Sequence, residues 1–168
     1  NSKHDQMGVG CAACHMPKVK DANGDVYTSH CATTPRAYIQ ETCLQCHKDK
    51  TEAQMNKVLD SMNAHYNGKL REAEASMGQM FIAFRQANDA GVDPAVIKQA
   101  QDLHSVAHTN WEWWTASNGS WFHNMPQAKE SLAKSVAASQ KATKLLRDAV
   151  AAKVAAQAQP QAQQTAQK

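Results

Sequence analysis

The chain has 168 residues, of which only 6% are aromatic, and a mean hydropathy of −0.61. That length suits about one domain with a modest apolar supply, and no apolar stretch nears the ~20 residues that a bilayer span requires. A net charge of +3, with basic and acidic side chains interleaved, excludes the charge runs that mark nucleic-acid binders.

Residues 1–50 carry all five cysteines together with Gly8, Gly10, Pro17, Gly24 and Pro35, and show no sustained periodicity. That composition belongs to loops and short helical turns wrapped round a cofactor. Two pentapeptides stand out, Cys11-Ala12-Ala13-Cys14-His15 and Cys43-Leu44-Gln45-Cys46-His47. Each is C-x-x-C-H, the attachment signature of c-type haem. Cysteines three apart lie on one side of a helical turn, where their sulfurs can form thioethers to the two vinyl groups of one porphyrin. The adjoining histidine then turns its imidazole to the iron as proximal ligand. Paired C-x-x-C motifs also build four-cysteine zinc sites, but such a site has no need of a histidine after both pairs. A disulfide framework leaves one of five cysteines over. Between the motifs, Asp21-Ala22-Asn23-Gly24-Asp25 fails the spacing of a calcium loop and reads as a turn.

From about 51 to 89 the pattern becomes helical, with Met55, Leu59, Met62, Tyr66, Leu70, Ala73, Met77, Met80 and Phe84 at steps of three and four. Such a helix is ~55 Å long. Ala90-Gly91-Val92 ends it. Asp93 as N-cap and Pro94 at the first helical position start a second helix, with Ile97, Ala100, His104, Ala107, Trp111 and Trp114 on one face. It stops near Asn118-Gly119. Pro126 opens a third, striped by Leu132, Val136, Ser139, Thr143, Leu146, Val150 and Val154. Residues 159–168 have no apolar stripe and read as a disordered tail. The expected fold is therefore mainly α, with little or no β. A haem-binding segment (1–50) of loops and short helices precedes a long-helix region (51–158). Helices this long overhang a domain of this size, which points to a homodimer formed through them.

Eight histidines are present. With His15 and His47 proximal, His4, His30, His65, His104, His108 and His123 remain. His104 and His108, four apart on an apolar helical face, could hold a metal, but packing suits them better. His65 sits mid-helix beside Tyr66. Met16 lies too close to Cys14 to reach the far face of its own haem. His4 and His30 in the cysteine-rich segment, and His123 in the loop before Pro126, are distal-ligand candidates. Three histidines thus compete for two positions. Either one is unused or one serves a haem attached elsewhere.

The order His4…Cys11-Ala12-Ala13-Cys14-His15-Met16-Pro17-Lys18, then Tyr27-Thr28-Ser29-His30, then Thr42-Cys43-Leu44-Gln45-Cys46-His47 resembles the C-terminal part of the multihaem, ammonia-forming cytochrome c nitrite reductases. Trp111-Glu112-Trp113 and Gly119-Ser120-Trp121-Phe122-His123-Asn124 extend the likeness to all but the tail, although Met125 adds one residue before the family's proline. The resemblance implies that Cys11, Cys14 and His15 hold the fourth haem of a pentahaem order with His123 distal, and that Cys43, Cys46 and His47 hold the fifth with His4 distal. His30 would then reach the second haem, whose motif is absent here. The resemblance further implies a periplasmic enzyme reducing nitrite to ammonium, with a cytochrome donor that is membrane-anchored and quinol-oxidising, or soluble. The catalytic haem and the calcium site would lie upstream of Asn1, making this chain a relay fragment without catalytic residues. Octahaem relatives share the plan. The contrasting reading is a self-contained dihaem electron-transfer cytochrome, in which His30 has no iron partner. Cys31 has no counterpart in the family pattern and is expected to be a packed free thiol, the alternative being a link to a segment outside this chain.

Both haem readings predict a Soret band that stays with the protein through acid–acetone extraction. A colourless protein would point instead to a zinc scaffold.

Overall fold

The computed structural model describes residues 2–117 and 119–165. In chain order the elements are α1 (Lys3–Gln6), α2 (Cys11–His15), β1 (Lys18–Lys20), β2 (Val26–Thr28), a 3-10 turn (Pro35–Tyr38), α3 (Cys43–Cys46), α4 (Glu52–Asp89), α5 (Pro94–Ala116), α6 (Ser120–His123) and α7 (Met125–Thr165). The fold is mainly α, as expected, and the chain divides into two compact units. One comprises residues 1–65 with 121–124; the other comprises 66–120 with 125–168.

In the first unit, each C-x-x-C stretch forms its own short helix, α2 and α3. Between them runs the hairpin that the sequence reading left out. Its strands pair antiparallel, Lys18 with Thr28, Val19 with Tyr27 and Lys20 with Val26. The connecting turn is built by Asp21, whose carboxylate accepts the amides of Asn23 (2.8 Å) and Asp25 (2.9 Å), with Gly24 at φ 91°. That carboxylate is occupied by backbone donors, as an Asx turn requires. A small core of Ile39, Met55 and Leu59 gathers Cys43, Leu44, Trp121 and Phe122 around it. The start of α4 is fixed reciprocally. Thr51 accepts from the Gln54 amide at 3.2 Å while the Gln54 side chain accepts from the Thr51 amide at 2.8 Å. This is a capping box.

The second unit contains the remainder of α4, all of α5 and α7, and Ser120. After Asp89 the chain turns through a Schellman motif, with Val92 N–H donating to Ala87 O and Gly91 N–H to Asn88 O, both 3.0 Å. Gly91 supplies the required positive φ, 63°. Asp93 then caps α5 by accepting the Ala95 amide at 2.7 Å. The core consists of Met77, Met80, Ala83, Ala87, Val92, Ala100, Ala107, Ala142 and Leu146. Its many alanines come from all three helices, and α5 and α7 approach each other closely. Tyr66, buried on α4, donates its hydroxyl to the Trp114 carbonyl on α5. Arg147 on α7 donates to the Gln79 side chain on α4 at 3.1 Å.

The helical stripes read from the sequence face inward with few exceptions. Leu132, Ser139, Thr143 and Leu146 are buried, whereas Val154 is 56% exposed. Ser135 and Ser139 are fully buried, and their hydroxyls have no hydrogen-bond partner. α7 runs as helix to Thr165, into the segment read as a disordered tail; 166–168 lie outside the described residues. Alanine and glutamine, which dominate that segment, are good helix formers even without an apolar stripe.

Two substitutions on α7 should act in opposite directions. Leu146→Ala removes a side chain with no exposed area and should cost ~2–5 kcal/mol. Ser135→Ala deletes a buried hydroxyl without a partner and should be neutral or stabilising by up to ~1 kcal/mol. Urea unfolding of both variants checks the signs.

Candidate haem-binding site

The first unit brings four imidazoles together in two pairs. The rings of His15 and His123 lie 5.9 Å apart between centroids and are inclined by 20°. Those of His4 and His47 lie 6.3 Å apart, inclined by 72°. The separations are informative. Two imidazoles bound to opposite sides of one metal ion through bonds of roughly 2 Å put their centroids about 6 Å apart. Each pair joins a motif histidine to a histidine from another stretch of chain, in the combinations that the family resemblance implied.

His15 carries a further mark of a ligand. Its Nδ1 lies 3.0 Å from the Thr33 carbonyl oxygen. A carbonyl can only accept, so Nδ1 donates to it, and Nε2 is left as the ring nitrogen that could meet a metal. Metal-bound histidines are oriented by this kind of outer contact. The turn that delivers Thr33 includes Ala32 at φ 44°, a left-handed conformation uncommon for residues other than glycine. A backbone acceptor leaves no trace in residue identity, so sequence reasoning had no means of finding it.

The cysteines suit covalent attachment. Cys11 and Cys46 are exposed, while Cys14 and Cys43 are half-buried. The Cys14 thiol pKa is raised above its ordinary value, chiefly by burial and then by the neighbouring thiols of Cys43, Cys11 and Cys46. Ring contacts running from His15 through His123, Phe122 and His4 to His47 set the two motifs side by side. Among the described residues, no group of three or more His, Cys, Asp or Glu is arranged to hold a bare metal ion. Protein side chains pack on this site too. Phe122 stacks on His4, with centroids 5.5 Å apart and planes 20° apart. Its place beside His123 in Trp121-Phe122-His123 was the only sequence signal for it.

His30 is exposed just beyond β2, and none of the ring pairs found among the described residues includes it. Cys31, expected to be packed, is exposed as a free thiol. The hairpin ends at Thr28, two residues before His30, with Ser29 turned inward, and Cys31 follows in an open loop that offers no cover. His65 is exposed on α4. His104 and His108 belong to an aromatic row on the second unit. His104 meets Phe81 at 5.4 Å and His108 at 5.5 Å, and His108 meets Trp111 at 5.6 Å. His108 also approaches Glu112 at 3.3 Å.

A helical chain with two C-x-x-C-H turns side by side, each motif histidine facing a second imidazole, defines the class of c-type cytochromes, which carry covalently bound haem c. Within that class the chain belongs to the cytochrome c552 family, whose pattern matches residues 1–168. Cytochrome c-552 of Haemophilus influenzae is 30% identical over 122 residues, 71% of this chain and 22% of the relative. Cytochrome c-552 of Parabacteroides distasonis is 32% identical over 120 residues, 71% of this chain and 24% of the relative. Among solved structures, the catalytic subunit of cytochrome c nitrite reductase from Desulfovibrio desulfuricans superposes with a TM-score of 0.73 at 27% identity, covering 89% of this chain and 31% of that one. The chain is thus a c-type cytochrome similar to cytochrome c nitrite reductase, and it spans about a quarter of the length of these curated relatives. No helix among the described residues is long and apolar enough to cross a membrane.

The His104 environment generates a pH prediction. Burial, and secondarily the neighbouring His108, lower the His104 pKa from its ordinary 6.5. The unfolded chain then binds this proton more readily than the folded one. The associated stability is complete above about pH 6.5 and is lost as pH falls through the lower folded value. Thermal melts between about pH 7.5 and 5 should show a smaller acid destabilisation in His104→Gln than in the wild type. Equal slopes would remove His104 as the cause.

Proposed function

We propose that this chain is the electron-relay portion of a periplasmic, ammonia-forming cytochrome c nitrite reductase. It would carry two haems c, each ligated by two histidines, and pass electrons to a catalytic haem attached to residues outside this chain. The observation that supports this best is the pairing of His15 with His123 at 5.9 Å and of His4 with His47 at 6.3 Å.

Haem c bound at these positions supplies an iron that gains and loses one electron at a time. The chain's own residues do the rest. Cys11, Cys14, Cys43 and Cys46 would anchor the porphyrins through their sulfurs. His15, with Nδ1 committed to Thr33, presents Nε2. His123, His47 and His4 would supply the other imidazoles, which would leave nitrite no open site at either centre. Closed coordination suits transfer and storage of electrons during a six-electron reduction. Phe122 lies against His4 of one pair and His123 of the other, at 5.5 and 5.9 Å, which supports two neighbouring centres between which electrons could pass. Exposure of His30 is consistent with its ligating a third haem carried by another part of the protein, within a set of five. Calcium belongs, on this reading, to residues outside this chain.

The same reading has the protein as a homodimer joined through its long helices. Phe81 (53% exposed), Ile82 (49%), Val106 (49%) and Trp113 (69%) are large apolar side chains on α4 and α5 that water would otherwise surround. A cytochrome, membrane-anchored and quinol-oxidising or soluble, would be the electron donor.

The test is made on the protein in its full gene context. His123→Ala should leave the covalent haem content unchanged and convert one low-spin signal to high spin. Nitrite-to-ammonium turnover should fall by at least the ~10–100-fold expected for losing an orienting partner of a ligand. The 168-residue chain alone should reduce no nitrite. Turnover by that chain would show that one of its irons is open.

A further inference from the structure

We propose that Phe122 is a positioning residue that sets the ring plane of His4, and thereby makes the centre at Cys43–His47 electronically unlike the one at Cys11–His15. This rests on the reading of His4 and His47 as opposed ligands of one haem iron.

The two imidazole pairs are alike in separation and unlike in orientation. His15 and His123 are close to parallel, at 20°, whereas His4 and His47 are crossed, at 72°. A ligating imidazole retains one freedom, rotation about its nitrogen–metal bond. Its π orbital stands perpendicular to the ring, so the ring plane selects which of two otherwise equivalent iron d orbitals is perturbed. Parallel rings act on the same orbital and separate the two in energy. Crossed rings act on both and leave them nearly equal. The magnetic anisotropy of the oxidised iron and its reduction potential follow from that splitting, which places ring orientation among the means by which a protein tunes haem.

Phe122 holds the His4 plane. The two rings are stacked within 20° at 5.5 Å, an offset arrangement that aromatic pairs favour. Turning His4 toward the plane of His47 would drive its edge at the Phe122 face. Phe122 cannot readily yield, because it packs on the buried Ile39, Met55 and Leu59 cluster and against Trp121, whose ring lies 5.8 Å away at 77°. The same Phe122 ring stands perpendicular to His123, at 90° and 5.9 Å. One aromatic side chain thus touches an imidazole of each pair, with its face on one and an edge contact to the other.

Electron paramagnetic resonance of the oxidised, haem-loaded protein tests this. In the wild type these two centres should give one strongly anisotropic signal, from crossed rings, and one rhombic signal, from near-parallel rings. Phe122→Leu keeps apolar bulk but removes the flat ring. It should move the anisotropic signal toward the rhombic form and leave the rhombic signal in place, at unchanged covalent haem content. Phe122→Tyr, which keeps the ring, should restore the wild-type spectrum. If Phe122→Leu gives no haem-loaded protein, Phe122→Trp, whose larger ring displaces the stack, should shift the anisotropic signal. Both signals unmoved in a haem-loaded Leu or Trp variant overturn the role of Phe122 and leave the ligation reading standing. A new high-spin signal overturns it too, since His4 would then be lost rather than turned. A wild type without two low-spin signals from these centres undoes the ligation reading itself.

Discussion

The first unit is organised around two pairs of imidazoles, His15 with His123 and His4 with His47. Its short helices, hairpin and loops carry a small buried core of Ile39, Met55 and Leu59. Local hydrogen bonds supply much of the remaining order. The Asp21 turn, the Thr33 carbonyl on His15 and the Thr42 hydroxyl on the Tyr38 carbonyl (2.6 Å) each tie one loop to a neighbouring residue or segment. A segment held in this way is stable only when its central groups are satisfied, and two large flat porphyrins would provide the missing apolar surface.

The second unit solves a different problem. Its core is built from small side chains, Ala73, Ala83, Ala87, Ala100, Ala107, Ala128 and Ala142, punctuated by Met77, Met80, Leu132 and Leu146. Close helix approach gives many weak dispersion contacts instead of a few large buried groups. Ser135 and Ser139 fit that geometry by size, at the cost of hydroxyls without partners. The polar pairs on the outside, such as Lys134 with Glu130 at 2.7 Å and Lys69 with Glu72 at 2.7 Å, are exposed and contribute little to stability.

Much of this was legible in the sequence, and the reasons differ by element. The long helices have apolar stripes of the right period and strong end signals at Asp93-Pro94 and Gly91, so local chemistry and tertiary packing agree. The two cysteine motifs carry their spacing on their face. The hairpin escaped because three-residue strands are too short for alternation to register, even though an Asn-Gly turn separated Lys18-Val19-Lys20 from Val26-Tyr27-Thr28. Cys31 was misjudged because cysteine is usually buried, and nothing local distinguishes it from a packed thiol. Phe122 and Thr33 act through a face and a backbone oxygen, neither of which a one-dimensional pattern encodes. The histidine pairs were legible only through family resemblance. Residue counting alone left His4, His30 and His123 competing for two places.

The segment 121–124 belongs to the first unit, although the residues on either side of it, through Ser120 and from Met125, belong to the second. The chain therefore leaves the helical unit for a single turn, delivers Phe122 and His123, and returns. Synthesis from the N-terminus makes the Cys11–His15 turn complete well before its opposing imidazole exists. Only after α4 and α5 have been laid down can His123 come to lie beside His15, so connectivity itself imposes an order of assembly.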